Sequence, residues 1–170
     1  MANSETLVQE HEKKEVLIEG GKFLSFFLGN EEYAIEILKV QEIIGLMPIT
    51  PVPKMPEYIR GVINLRGKII PVMSLRARFN LESVEDTEET CIIVIQEEKF
   101  QMGVVVDKVS EVADIETGQF EEVPEVGVMG ENEFLSALGK VKDSVKMIVD
   151  VHKVLFNVQK EVHAKPELVE

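Results

Sequence analysis

The sequence predicts an all-β fold built from two similar small barrels, each closed by a short helix. Three observations carry this expectation. Apolar runs of five to eight residues, rich in Val, Ile and Phe, recur along the chain; short turns separate many of them; and one strand-to-helix pattern occurs twice. Runs of this length bounded by Gly, Asn, Asp and Pro read as strands.

The first two strands, "KFLSFFLG" and "EYAIEI", flank "GNEE", and "VQEIIGL" follows. A proline-rich connection, "MPITPVPKMPEYIRG", leads to "GVINL" and "KIIPVM", which flank "RG". Next come "TCIIVIQ" and "QMGVVVDKV" around "EEK", then "FLSALGKV" and "VKMIVDV" around "KDS". Turns this short join antiparallel neighbours. Two pieces read as helical, and both follow a strand. In "DVHKVLFNVQKEV" the residues Val151, Val154, Leu155, Val158 and Val162 fall at helical spacing, with Asp150 placed to cap the first turn. In "SLRARF" Ser74 stands in the equivalent place, 76 residues earlier, and "VMSLRARF" set over "IVDVHKVL" shares an apolar pair, a capping residue and an apolar residue before two mixed positions and a closing pair. One strand-to-helix unit used twice is the simplest account, hence two barrels.

Residues 1–19 carry five acids without sustained periodicity and read as a flexible N-terminal tail; 159–170 read as a second tail, leaving 20–158 as the folded body. The chain of 170 residues is 45% hydrophobic and 29% charged, in the range of globular domains. A net charge of −13 opposes both nucleic acid and anionic membrane surfaces. No stretch approaches the ~18 uninterrupted apolar residues of a membrane span. The single cysteine, Cys91, lies in the apolar run "CIIVI" and reads as a buried thiol in a reducing cytoplasm. A cytoplasmic protein without direct membrane insertion is expected.

Charge is unevenly spread over the body. From Lys54 to Arg78 there are six basic residues (Lys54, Arg60, Arg66, Lys68, Arg76, Arg78) against Glu57; from Glu111 to Glu133 there are eight acids and no lysine or arginine. Either the two segments neutralise each other, or the basic island is a partner surface.

The motifs of catalysis are missing. His11, His152 and His163 lie far from Cys91 with no zinc-site spacing, and there is no phosphate-cradling glycine loop or hydrolase elbow. "DTEET" and "EEVPE" read as solvated acidic loops rather than a paired-carboxylate site. No catalytic, cofactor-binding or metal-ligating residue is expected, and binding is the better class.

The hairpin "NLRGKIIPVMSLR" is the informative stretch. A two-residue turn centred on Arg66 and Gly67 pairs Leu65 with Lys68, Ile63 with Ile70 and Gly61 with Val72. It gives positive φ to Gly67 and leaves Arg66 in an ordinary backbone region, as in a type II turn. Ile63, Leu65, Ile70 and Val72 then share one face, with Val62, Asn64, Ile69, Pro71 and Met73 on the other. Both faces are largely apolar, so one packs on the core and the other awaits a second subdomain or a partner. Pro71 lacks an N–H, which places its strand at a sheet edge or at a bulge. A strand over "VQEII" turns Val40, Glu42 and Ile44 to one side. A glutamate between two apolar residues needs a cation, and Arg66 is the candidate.

The strings "GNEEYAIEILKVQEII", "PEYIRGVINLRGKIIPVMSLRARF" and "MGVVVDKVSEV" closely resemble the CheW family of chemotaxis coupling proteins, over about Phe23 to Phe156. The resemblance implies two intertwined, five-stranded, SH3/OB-like β-barrel subdomains with a groove between them, short helices and a C-terminal helix. It implies a non-catalytic scaffold, without cofactors, that couples the cytoplasmic hairpin tips of chemoreceptors to the regulatory domain of the histidine kinase CheA. Such a protein is recruited to membrane-associated receptor arrays and is a monomer outside them. The alternatives are a detached kinase regulatory domain or a CheV-type adaptor module, though no ATP-binding region is present and no receiver domain follows residue 158. Carried over by position, the receptor-facing groove includes Val40, Glu42, Asn64, Arg66 and Val112; Arg60, Gly61, Gly67 and Ile69 belong to the same region or to the adjoining kinase contact. One departure stands out: relatives often carry Gly-x-Gly near residue 137, where this chain reads "ALG".

Overall fold

The computed structural model of the chain describes residues 18–124, 131–156 and 158. The predicted tails beyond residues 17 and 158, with Val162 of the predicted terminal helix, lie outside the described residues.

Strand β1 (Gly21–Leu28) turns through Gly29 and Asn30 into β2 (Glu31–Glu36), and a 3₁₀ turn at Ile37–Lys39 leads to β3 (Val40–Gly45). The proline-rich connection follows, then β4 (Ile59–Leu65), β5 (Lys68–Ser74) and the short helix α1 (Leu75–Arg78). Next are β6 (Cys91–Glu97), β7 (Phe100–Val106), β8 (Lys108–Ile115), β9 (Phe120–Glu121), β10 (Leu135–Val141), β11 (Ser144–Val149) and α2 (Val151–Leu155). Both expected caps are present: Ser74 accepts from the Ala77 amide at 3.2 Å, and Asp150 from the Lys153 amide at 3.1 Å.

The strands form two sheets. One has six strands in the order β8-β1-β2-β11-β10-β9, and the other five in the order β3-β6-β7-β5-β4. All pairings are antiparallel except two equivalent ones, β11 on β2 and β5 on β7. The mainly β class and the two-part architecture thus hold, while among the described residues neither ladder closes into a barrel. The five-stranded sheet curls far enough that Thr50, on the chain leaving β3, exchanges two 2.9 Å backbone bonds with Val62 of β4.

The largest apolar cluster draws on both sheets, uniting Leu24, Phe26, Tyr33 and Ile35 with Met73, Phe79, Ile93, Ile95, Met102 and Val104. Stacked or tilted rings run through it from Phe26 to Tyr33, Phe79 and Phe134. A second cluster, around Phe23, Ala137 and Ile148, belongs to the six-stranded sheet, and a third, around Ile63, Ile70, Val72, Ile92 and Val94, to the five-stranded one. Each sheet is therefore apolar on both faces, which is why the strands read as near-continuous hydrophobic runs. Burying a Leu- or Phe-sized side chain contributes about 1.5–3 kcal/mol, so the shared cluster holds the sheets together.

Arg78 closes the seam at one end. Its guanidinium lies 4.5 Å from the centroid of Tyr58 and 4.8 Å from that of Phe134, and it donates to the carbonyls of Val154 and Phe156. No helix among the described residues is long and apolar enough to cross a membrane.

Candidate docking edge

The β4–β5 hairpin has the expected register, with Leu65 opposite Lys68, Ile63 opposite Ile70 and Gly61 opposite Val72. Its turn differs from the expected type II. Arg66 has φ 53° and Gly67 φ 86°, so both central residues are left-handed, as in the type I′ turn whose twist matches that of paired strands. Arginine pays a steric penalty there, and Asn64 helps to hold the turn: its Oδ1 accepts from the Gly67 amide at 2.8 Å.

Pro71 is also placed differently. β5 is an interior strand between β4 and β7, and no register shift falls at Pro71. Val62, opposite Pro71, directs both of its backbone groups to Thr50, so this pair exchanges no bond across the hairpin. The missing N–H of Pro71 thus faces β7, where the parallel ladder begins only at Val72.

The shift in β4 falls at Arg60, the extra residue between Ile59 and Gly61. It aims the Arg60 side chain at Asp86, with bonds of 3.2 and 3.0 Å. Gly61 has φ 145°, and a Cβ there would lie 2.1 Å from the Thr50 carbonyl oxygen, so the Thr50 bridge requires glycine.

Arg66 meets Glu42 as expected, Nη2 donating to Oε1. The pair spans the two outer strands of the five-stranded sheet, β3 and β4–β5, on the side where the ladder is open. Arg66 keeps 69% of its side chain exposed and Glu42 only 27%, so the glutamate anchors a cation that remains available to solvent. A register shift at Gln41 overturns the shared face expected for Val40 and Glu42. Val40 pairs with Ile95 and packs on the shared cluster, whereas Glu42 pairs with Val94 and Ile44 with Ile92, on the opposite face.

Ile69, opposite Asn64 on β5, is 60% exposed, on the face expected to await a partner and away from the face of Glu42. Val112, 50% exposed, lies on β8 of the other sheet. The structure therefore brings together Glu42 with Arg66 and Asn64 with Gly67, sets Ile69 on the other face of the same hairpin and Arg60 and Gly61 at its far end, and leaves Val112 across the sheet boundary.

Mutual neutralisation of the charged segments does not occur among the described residues. Arg60 pairs with Asp86, Arg66 with Glu42 and Arg76 with Asp107, while Glu111, Asp114 and Glu121 pair with Lys146, Lys22 and Lys140. Two of these networks escaped the sequence reading. Arg76 Nη2 lies 2.5 Å from Asp107, and its hydrogen bonds hold the Asp107 carboxyl below its ordinary range against the opposing effect of burial. Lys146, 1% exposed, donates to Ser25 at 2.9 Å and to Glu32 at 2.5 Å and lies 3.4 Å from Glu111. Burial alone would raise the Glu32 carboxyl, but hydrogen bonds from Lys146 and Ser25, with the lysine's charge, bring it below the usual range. Cys91 is half-buried, and desolvation pushes its thiol up. No cluster of three or more potential metal ligands occurs among the described residues.

A curled β-sheet with a paired but exposed cation and an exposed aliphatic residue on one hairpin has the features of a protein-binding module rather than of a catalytic centre. Residues 22–159 match the CheW-like domain family. The chain is 42% identical over 136 residues to the chemotaxis protein CheW of Klebsiella aerogenes, covering 80% of this chain and 82% of that one. It is 36% identical over 137 residues to CheW of Bacillus subtilis, covering 80% and 87% respectively. The crystal structure of the scaffolding protein TtCheW from Thermoanaerobacter tengcongensis superposes with a TM-score of 0.74 at 33% identity, covering 80% of this chain and 92% of that one. The chain belongs to the CheW family of chemotaxis scaffold proteins, which are not enzymes.

Proposed function

We propose that the protein couples the cytoplasmic hairpin tips of chemoreceptors to the regulatory domain of the histidine kinase CheA, working inside membrane-associated arrays and remaining monomeric outside them. The unit that carries this is 20–158, with 1–19 and 159–170 as tails. The observation that supports the reading most is the Glu42–Arg66 pair on the open side of the five-stranded sheet. It holds a five-donor cation at the tip of the hairpin that also exposes Ile69, a combination suited to an amphipathic helix whose apolar residues dock while polar groups set the register. Val40, Asn64 and Val112 complete the receptor-facing set, with Arg60, Gly61, Gly67 and Ile69 in the same region or in the adjoining kinase contact. The adaptor acts without turnover, through differential contacts in two array states.

Chemical-shift mapping with a receptor-tip fragment, and separately with the kinase regulatory domain, tests this assignment. Perturbation of neither Val40 nor residues 62–69 by the receptor fragment would overturn it. Arg66→Glu is expected to keep its fold and lose receptor-dependent kinase activation; full activation by that variant would remove Arg66 from the interface.

A further inference from the structure

The residues assigned to receptor docking straddle the two sheets: Glu42, Asn64 and Arg66 lie on the five-stranded sheet, Val112 on the six-stranded one. A rigid helical partner can engage both sets only if the sheets hold a fixed relation. Asp107 is the single residue between β7, in one sheet, and β8, in the other. Its amide donates to the Phe27 carbonyl of β1 at 3.2 Å. Its carboxylate accepts the Gly29 amide from the β1–β2 turn at 2.7 Å. The same carboxylate takes Arg76 Nε at 2.9 and 3.2 Å and Arg76 Nη2 at 2.5 Å, from the helix that directly follows β5.

One carboxylate therefore ties the end of the docking hairpin's second strand, the six-stranded sheet's first turn and the crossing itself. Among the described residues, Lys39–Glu97 at 36% and 21%, Lys108–Glu89 at 54% and 62%, and His152–Glu97 at 71% and 21% each have a more exposed basic partner than Arg76–Asp107 at 16% and 26%. The planar guanidinium gripping the carboxylate through two nitrogens fixes direction as well as distance. Asp107 also stands five positions before Val112, immediately ahead of the strand that carries it.

We infer that Asp107, gripped by Arg76, is a positioning residue that holds the two halves of the receptor-docking surface in register. This rests on the receptor-docking reading above. Asp107→Asn keeps the shape and the acceptor for Gly29 but removes the charge that organises the fork. Full-length wild-type protein and variants are titrated with a receptor-tip fragment, while residual dipolar couplings report the relative orientation of the sheets. Asp107→Asn is expected to weaken receptor-tip binding by about tenfold, within the usual range of coupling between sites. Couplings from the two sheets should then no longer fit the single orientation that fits the wild type.

Unchanged affinity together with unchanged orientation would overturn the inference, as would lost affinity with the orientation intact. Arg76→Lys retains the cation but not the two-nitrogen fork, and it serves if the asparagine variant does not fold; wild-type affinity and orientation there would equally overturn the inference. Glu121→Gln removes an exposed pair within one sheet and is expected to change neither readout; a comparable loss of affinity in it would overturn the specificity claimed for the clamp. Failure of the wild-type protein to bind the receptor tip would instead strike the docking reading itself.

Discussion

The hairpins β4–β5 and β10–β11 are built on one plan, 76 residues apart, and fill it with different chemistry. Both carry an extra residue near the start of the first strand, both place a basic residue at positive φ in the turn (Arg66 at 53°, Lys142 at 55°), and both lead into a capped helix. Each also exposes an aliphatic residue at the second position after the turn, Ile69 and Val145. Inside they part. Ile70 is buried among other aliphatics, while its counterpart Lys146 is buried in a polar knot with Ser25, Glu32 and Glu111. Gly61 gives way to Ala137. Backbone plan and interior chemistry are thus separable: sheet geometry fixes where a side chain points, and the neighbours decide whether a charge is tolerable there.

The sharpest way to break this comparison is to give the second hairpin the interior of the first. Lys146→Met leaves Glu32 shielded without its cation and is expected to cost about 3–5 kcal/mol in urea unfolding. Adding Glu32→Leu should recover most of that loss, because replacing both partners of a buried pair by apolar groups is often neutral. A loss under about 1 kcal/mol in the single variant would show that the knot is not a buried ion pair in solution. Next in size is the glycine position. Gly61→Ala drives a Cβ into the Thr50 carbonyl and should cost about 2–3 kcal/mol. The matching Ala137→Gly should cost about 1.3–1.8 kcal/mol, from added backbone freedom and the loss of one fully buried methyl. Equal effects would mean the Thr50 bridge is not specific to the first hairpin.

Acid titration offers a subtler separation. Glu32 and Asp107 both ionise below their ordinary range in the folded chain, so the stability they contribute is present above that range and lost as pH falls through their depressed values. Wild-type protein should destabilise with acid more steeply than Asp107→Asn, and identical profiles would argue against the Arg76 grip. The smallest effect belongs to Arg66→Ala, expected to shift stability by no more than about 1 kcal/mol because the arginine side chain is largely solvent-facing. A larger loss would make Arg66 structural instead of a presented group.

Register and pairing were legible because alternation and a two-residue turn leave few options for "NLRGKIIP", and Glu42 between apolar neighbours called for its cation. Three things were not legible. An arginine at positive φ carries no mark, since hairpin twist imposed by the sheet overrides residue preference. The bulge at Gln41 carries no residue signature in "KVQEII", yet it moves Val40 to the other face. Pro71 suggested an edge, yet a late-starting parallel ladder accommodates it inside the sheet. Lys146 did leave a trace: alternation sets it on the face of Ile148, and the 76-residue offset lays it over Ile70. Asp107 likewise interrupts "GVVVDKV", at the point where one sheet gives way to the other.

The two single-chain crossings, Ile37–Lys39 going out and Asp107 coming back, also give the two sheets different sequence separations to close. The five-stranded sheet uses β3 to β7, an unbroken stretch of chain, so its pairings close over modest loops. The six-stranded sheet must join Gly21 to Ile115 and Tyr33 to Met147, at far larger separation and greater entropic cost. During synthesis the inner sheet can be complete while the outer one consists of the β1–β2 hairpin alone, which then serves as the template on which the last-made strands are laid.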